Sequence, residues 1–285
     1  MMKIIFLLLF LFSFEAESKE LAGLYAQLAT LPVQSKVLKT ANYFLGSPTG
    51  VNPLGEGSGI DLHPLISTEK FDCTTYVETS LAVAFSKDQK ELASTLNQIR
   101  YEGETLDFFH RNHFMVSDWI PSNTKKGFVS EFTEQMTKDK TAYRTETKTL
   151  NKTIWFFHRV IDLLDQQKKS ATEIQKELSK VPALPVQEEK TKYLLASYFR
   201  EHTDLMVSAL PDVSIVMFIR NIPSVPTLVN HMGFVVKKEG KLYLDHATQT
   251  KPWKVQELLL EDYFNEMDSH RAPIEGLLFL KVGKE

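Results

Sequence analysis

The strongest constraint on the fold is a change of period near residue 213. Upstream, apolar residues recur at steps of three and four in Glu20 to Leu31, Val33 to Leu45, Gln89 to Tyr101 and Leu150 to Gln167, the pattern of amphipathic helices. Downstream, Val213 to Ile219 is a short β-branched and apolar run. Met232 to Lys237 and Lys241 to Ala247 flank Lys238-Glu239-Gly240, a hairpin signature, and Gly276 to Val282 reads as a closing strand. Val255 to Met267 reads as a short helix between them. Helices first and an antiparallel sheet later predict an α+β fold.

A chain of 285 residues with 43% hydrophobic content can bury a full core. Its net charge of -3 leaves no basic excess to track a phosphate backbone, so nucleic acid is not an expected partner. Lys3 precedes the apolar run Ile4 to Phe12, and small residues follow at Ala16 and Ser18. That run is short for a bilayer, so residues 1–18 read as a secretory signal cleaved after Ser18, and the mature protein is expected in the periplasm. No cysteine lies near the cleavage point to take a lipid, and no second run suits stable membrane insertion. Residues 19–285 then form one domain, with a helical insertion over about 100–210.

The only cysteine lies in Phe71-Asp72-Cys73-Thr74-Thr75-Tyr76-Val77-Glu78. Asp72 suits a helix N-cap, and Phe71 and Tyr76 can close over it as a hydrophobic staple. Cys73, Val77, Leu81, Ala84 and Phe85 then form one buried stripe. At a helix start the free N–H groups and the dipole favour thiolate, the nucleophilic form. A buried inert thiol is the commoner use of a lone cysteine. Export shifts the balance, because an unpaired cysteine in an oxidising compartment is intermolecular or reactive.

Other segments carry weaker signals. Gly55-Glu56-Gly57-Ser58-Gly59 has neither the strand before it nor the Lys-Ser/Thr after it of a phosphate loop, and Ser58 lacks nucleophile-elbow spacing. Thr105 to Gly127 mixes Phe108, Phe109, His110, Arg111, His113, Phe114, Asp118, Trp119 and Asn123, which suits a pocket wall or loop packing. His110 and His113 lack a third ligand in register, so neither a metal nor another cofactor is expected.

The hairpin supplies the remaining chemistry. A four-residue loop pairing Val236 with Lys241 sets His231 directly opposite His246, while Asp245 alternates to the other face. Cys73 would attack an amide carbonyl, His231 would take its proton and return it to the leaving amine, and His246 would orient His231. Backbone N–H groups at the helix start would receive the oxyanion.

Asp72-Cys73 opening a helix, His231-Met232-Gly233 opening a strand and His246-Ala247 on the next strand resemble NlpC-type cysteine amidases of bacterial cell walls. The resemblance implies a pared-down papain-like core, a nucleophile helix packed on an antiparallel sheet. More narrowly, Phe71 to Glu78 with Arg111, His113, Asp118-Trp119-Ile120 and Asn123 resembles a branch first described as a domain of unknown function. That branch implies N-acetylmuramoyl-L-alanine amidase activity on anhydro-muropeptides, with peptidoglycan fragments as partners and Arg111, Asp118, Trp119 and Asn123 as substrate contacts. The likeness spans roughly Ala41 to the C-terminus. Cys73 and His231 stand 158 positions apart, which fits the branch with a long insertion. Thr49 stands where such enzymes usually carry Tyr, in an altered loop after Gly46-Ser47-Pro48.

Three other readings use the same residues. One keeps the triad but cuts the γ-D-Glu–diaminopimelate bond. Another is a zinc amidase drawing on His63, His110, His113, His231 and His246, although no compact ligand motif is present. The last is a non-catalytic cell-wall binding protein with a relic site.

Overall fold

The computed structural model describes residues 21–270 and 272–284. The expected signal segment, 1–18, lies outside the described residues. The chain opens with α1 (Ala22–Leu28), α2 (Val33–Phe44), α3 (Cys73–Phe85), α4 (Gln89–Arg100) and α5 (Ile120–Lys126). Next come β1 (Val129–Glu131), β2 (Tyr143–Leu150), α6 (Lys152–Gln166), α7 (Ala171–Leu178), β3 (Gln187–Leu195), α8 (Ala196–Glu201) and α9 (Thr203–Ala209). The last third holds β4 (Val213–Ile219), β5 (Val229–Lys238), β6 (Lys241–Ala247), β7 (Val255–Leu259), α10 (Leu260–Asp268) and β8 (Gly276–Val282).

One antiparallel sheet runs β2-β3-β8-β4-β5-β6-β7, with β1 also on β8. Every residue of β4 is buried, Ser214 included, as its otherwise apolar sequence requires of a strand covered on both faces. Its alternation divides two cores. Val213, Ile215, Met217 and Ile219 join the core under α1 to α4, whereas Val216 and Phe218 join Phe199 and Phe264 of α8 and α10 on the other side. The expected α+β arrangement is therefore present, with helices on both faces.

Three segments differ from the sequence expectation. The insertion over about 100–210 is mixed and not helical, because β2 and β3 form an eight-pair antiparallel ribbon that extends the sheet. Its polar residues alternate across a ladder, where hydrogen bonding outweighs low apolar content. Val255 to Leu259 is strand and not helix, since it pairs along the open side of β6 before α10 begins. The β5–β6 turn holds two residues and not four. Lys238 pairs with Lys241, and Glu239 and Gly240 both take positive φ (51° and 73°), as a type I′ turn requires.

That shorter turn moves the register by two positions. Val236 faces Tyr243, and continuing the ladder sets Gly233, not His231, level with His246. A shift of two preserves the face, so His231 and His246 stay on one side as a diagonal pair. Gly233 makes room for them. A Cβ there would come within 2.6 Å of the Asp245 carbonyl oxygen and 3.1 Å of His246 Cβ.

Candidate active site

Helix α3 starts as its sequence demands. The N–H of Thr75 donates to Asp72 Oδ1 at 2.8 Å, and the N–H of Asp72 donates back to Thr75 Oγ1 at 2.9 Å. This reciprocal cap is reinforced by Phe71 and Tyr76, whose rings meet edge-on at 6.1 Å. Upstream, Thr49 bridges to Phe71, and its hydroxyl donates to the Thr248 carbonyl at 2.5 Å. The chain before Cys73 is thus tied to the β6–β7 connection.

Cys73 and His231 line one cavity of about 150 Å³ together with Thr74, His113, Met115, Thr227, Val229, Asn230 and Met232. The backbone N–H of Met232, next to His231, points at the Cys73 sulfur. His231 Nε2 lies 2.7 Å from His246 Nδ1. His246 Nε2 in turn lies 3.3 Å from the Gln256 amide nitrogen, directly across the β6–β7 ladder. Tyr263 of α10 packs its ring against both imidazoles, at 5.8 Å from His231 and 5.2 Å from His246.

The electrostatics differ from the expectation of a ready thiolate. Burial, and secondarily the charge of Asp72, pushes the Cys73 thiol up to about 12. The helix dipole acts in the opposite direction but is worth only about 0.3–1 kcal/mol at an ordinary helix end, less than the desolvation it opposes. Burial also holds His231 well below its usual range, helped by the positive charges of His246 and Arg220, and lowers His246 to about 4. The resting site is a neutral thiol beside two neutral imidazoles. Burial raises the Tyr263 phenol as well, with a smaller contribution from Cys73.

A second cavity of about 180 Å³ adjoins the first through Thr74, His113 and Met115. Its other walls include Asp72, Arg100, Arg111, Trp155 and Arg159. Trp155 and Arg159 come from α6, so the insertion forms part of the cleft.

A family model described as AmiA-like, N-acetylmuramoyl-L-alanine amidase-like, matches residues 39–270. The chain belongs to this amidase-like family. A solved structure of a Legionella pneumophila protein, assigned to a family of unknown function, is similar at a TM-score of 0.82 and 25% identity, covering 93% of this chain and 94% of that one. An N-acetylmuramoyl-L-alanine amidase from Bacteroides uniformis shares the fold at a TM-score of 0.61 and 22% identity, covering 87% of this chain and 99% of that one. Among curated proteins, none matches the sequence significantly.

The four residues expected to touch substrate in this AmiA-like chain fall in three places. Arg111 lines the larger cavity, but its guanidinium is held by Glu56 (Nε to Oε1, 2.9 Å) and Asp61 (Nη2 to Oδ2, 3.0 Å). Asp118 lines a separate cavity and accepts from Lys152 and Ser117. Trp119 and Asn123 are fully buried. The Trp119 indole donates to Glu78 Oε1 at 2.9 Å, and the Asn123 amide donates to the carbonyls of Trp119 and Ile99. The aromatic and polar mixture of Thr105 to Gly127 therefore serves both wall and core.

His63 and His110 lie outside the Cys73–His231 cavity, whereas His113 lines it but is committed elsewhere. His63 and His110 are turned onto Asp61 and Asp107 (Nδ1 to Oδ1, 2.7 and 2.8 Å), and His113 onto the Phe108 carbonyl at 2.6 Å. Asp245 faces away from His246, as strand alternation demands, and is buried opposite Glu257. Sequence reasoning missed Gln256, Tyr263, Trp155 and Arg159. Gln256 lay in a segment read as helix, and the other three signal nothing locally beyond an amphipathic face.

Proposed function

We propose that this chain is a cysteine amidase of the NlpC type, with a papain-like core, that hydrolyses the MurNAc–L-Ala amide of muropeptides. The observation that carries the reading is the shared cavity of Cys73 and His231, with His231 backed by His246 at 2.7 Å. Cys73 attacks the amide carbonyl while His231 removes its proton. Deprotonation accompanies attack, because desolvation raises the half-buried thiol and His231 stands beside it to take the proton.

His231 then returns the proton to the leaving amine, and His246 holds the imidazole in register. Asp72 takes the N–H of Thr75, whereas the N–H of Cys73 has no acceptor among the described residues and is free to receive the oxyanion. Water resolves the acyl-enzyme by the same route. A wall-fragment substrate places the enzyme in the periplasm, in keeping with the signal-like residues 1–18.

Incubating purified protein with an anhydro-muropeptide and weighing the products tests this. Free disaccharide and intact stem peptide are expected, with none formed by Cys73→Ala. Release of a disaccharide-dipeptide would instead assign the γ-D-Glu–diaminopimelate bond. Turnover that survives Cys73→Ala would end the cysteine mechanism.

A further inference from the structure

Helix α6 carries one cationic side chain, Arg159, for which the described residues supply no partner. Trp155 and Arg159, one turn apart, line the 180 Å³ cavity beside the nucleophile. The cations around them are engaged. Arg111 is held by Glu56 and Asp61, Arg100 by Glu78 (3.6 Å) and the carbonyls of Gly55 and Leu65, and Lys152 by Asp118. Arg159 makes no hydrogen bond or ion pair among the described residues, although it is partly buried.

A guanidinium withdrawn from water with five unused donors is costly unless an anion completes it. Burial does lower its pKa, and the carboxylates of Asp61 and Asp162 offset this only in part. The acidic residues of the same cavity do not fill the role. Asp72 caps α3, and Glu78 is taken by Trp119 and Arg100.

We propose that Arg159 binds a carboxylate on the amine side of the scissile amide and so sets which way round the substrate lies. This rests on the amidase reading. The lactyl carboxyl of the sugar is consumed in the amide, so the sugar side is neutral and the negative charge resides in the peptide. Peptide therefore runs into the Arg159 cavity, past Trp155. Sugar occupies the cavity lined by Thr227, Val229 and Asn230. The insertion, through α6, becomes the element that selects free-acid stem peptides.

The test compares N-acetylmuramoyl-L-alanyl-D-glutamate, with both carboxylates free, against its diamide. Wild-type enzyme is expected to favour the diacid about tenfold or more in kcat/KM, the scale of one charge-assisted hydrogen-bonded pair. Arg159→Gln should erase that preference by raising KM for the diacid, with kcat and the diamide little changed, and Arg159→Lys should restore part of it. Equal losses on both probes, or no wild-type preference, would overturn the proposal.

If wild-type enzyme cleaves neither probe nor the anhydro-muropeptide, the amidase reading fails by itself. Calorimetric binding of free L-alanyl-D-glutamate then decides for Arg159. Weakening of about tenfold in Arg159→Gln supports the site, and unchanged or undetectable binding rejects it. Should Arg159→Gln not fold, Arg159→Lys decides: a diacid preference smaller than wild type supports the site, and an unchanged one rejects it.

Discussion

His231 Nε2 and His246 Nδ1 lie 2.7 Å apart, so one ring must donate and the other accept. For His231 to take a proton at Nδ1, its Nε2 must carry hydrogen and donate to His246. His246 Nε2 then carries the second proton and needs an acceptor, and Gln256 is the group in reach. Its amide must therefore turn its oxygen toward the ring, an orientation set by the network.

Removing that acceptor should be felt in the chemistry. Gln256→Leu is expected to lower kcat about fivefold, the scale of one lost hydrogen bond, with KM nearly constant. Gln256→Glu should instead place a negative charge beside His246 and move the acid limb of the kcat profile to higher pH. A pH profile of both variants checks this, and an unchanged limb in Gln256→Glu would remove Gln256 from the relay.

The acid limb of the wild-type enzyme should itself lie low. A protonated imidazole cannot serve as base, and His246 titrates near 4 with His231 well below its usual range. Activity should persist well below pH 6.5, because His231, the base, is held well below its usual range. A limb near pH 6.5 would contradict the burial of the pair. The thiol adds a second check. With Cys73 near 12, alkylation by iodoacetamide should rise about tenfold per pH unit from 7 to 10 without a plateau.

Asp245 is completely buried opposite Glu257, and burial together with that neighbour raises its carboxyl to about 8. The folded chain holds a proton that the unfolded chain releases above about pH 4. Stability therefore declines as pH rises from about 4 to about 8 and levels off beyond. Asp245→Asn should remove this slope and stabilise the protein by roughly 1–3 kcal/mol at pH 8, with little gain at pH 4. Urea unfolding at the two pH values measures it.

Trp119 separates packing from recognition. Its indole fills the core and satisfies Glu78, which burial holds at about 7. Trp119→Phe should leave Glu78 Oε1 without its donor, with Arg100 still at Oε2, and cost about 1–3 kcal/mol of stability. KM should be unchanged in the protein that remains folded. A large KM effect at intact stability would return Trp119 to the substrate.

Much of this molecule was legible in local chemistry. Asp72 as cap, Phe71 and Tyr76 as staple, and the apolar period of α3 are matters of neighbours within one turn, so short-range rules reach them. The strand parity that keeps His231 with His246 and turns Asp245 away is equally local, and it is the same for a two-residue turn as for a four-residue one. Distance in the chain set the limit. Val255 to Leu259 has no strand signal strong enough to outweigh its helical pattern, and becomes strand because β6 offers an open ladder.

The sequence by itself determined the helix start that carries Cys73, the hairpin that carries the imidazoles, and the α+β order of the chain. Only the tertiary structure decided that desolvation raises the Cys73 thiol, that Gln256 sits across from His246, and that α6 brings Arg159, without a partner among the described residues, to the cleft. The reason is physical. Caps and strand parity depend on bonds between near neighbours, whereas desolvation and cavity walls depend on which distant segments exclude water from one place.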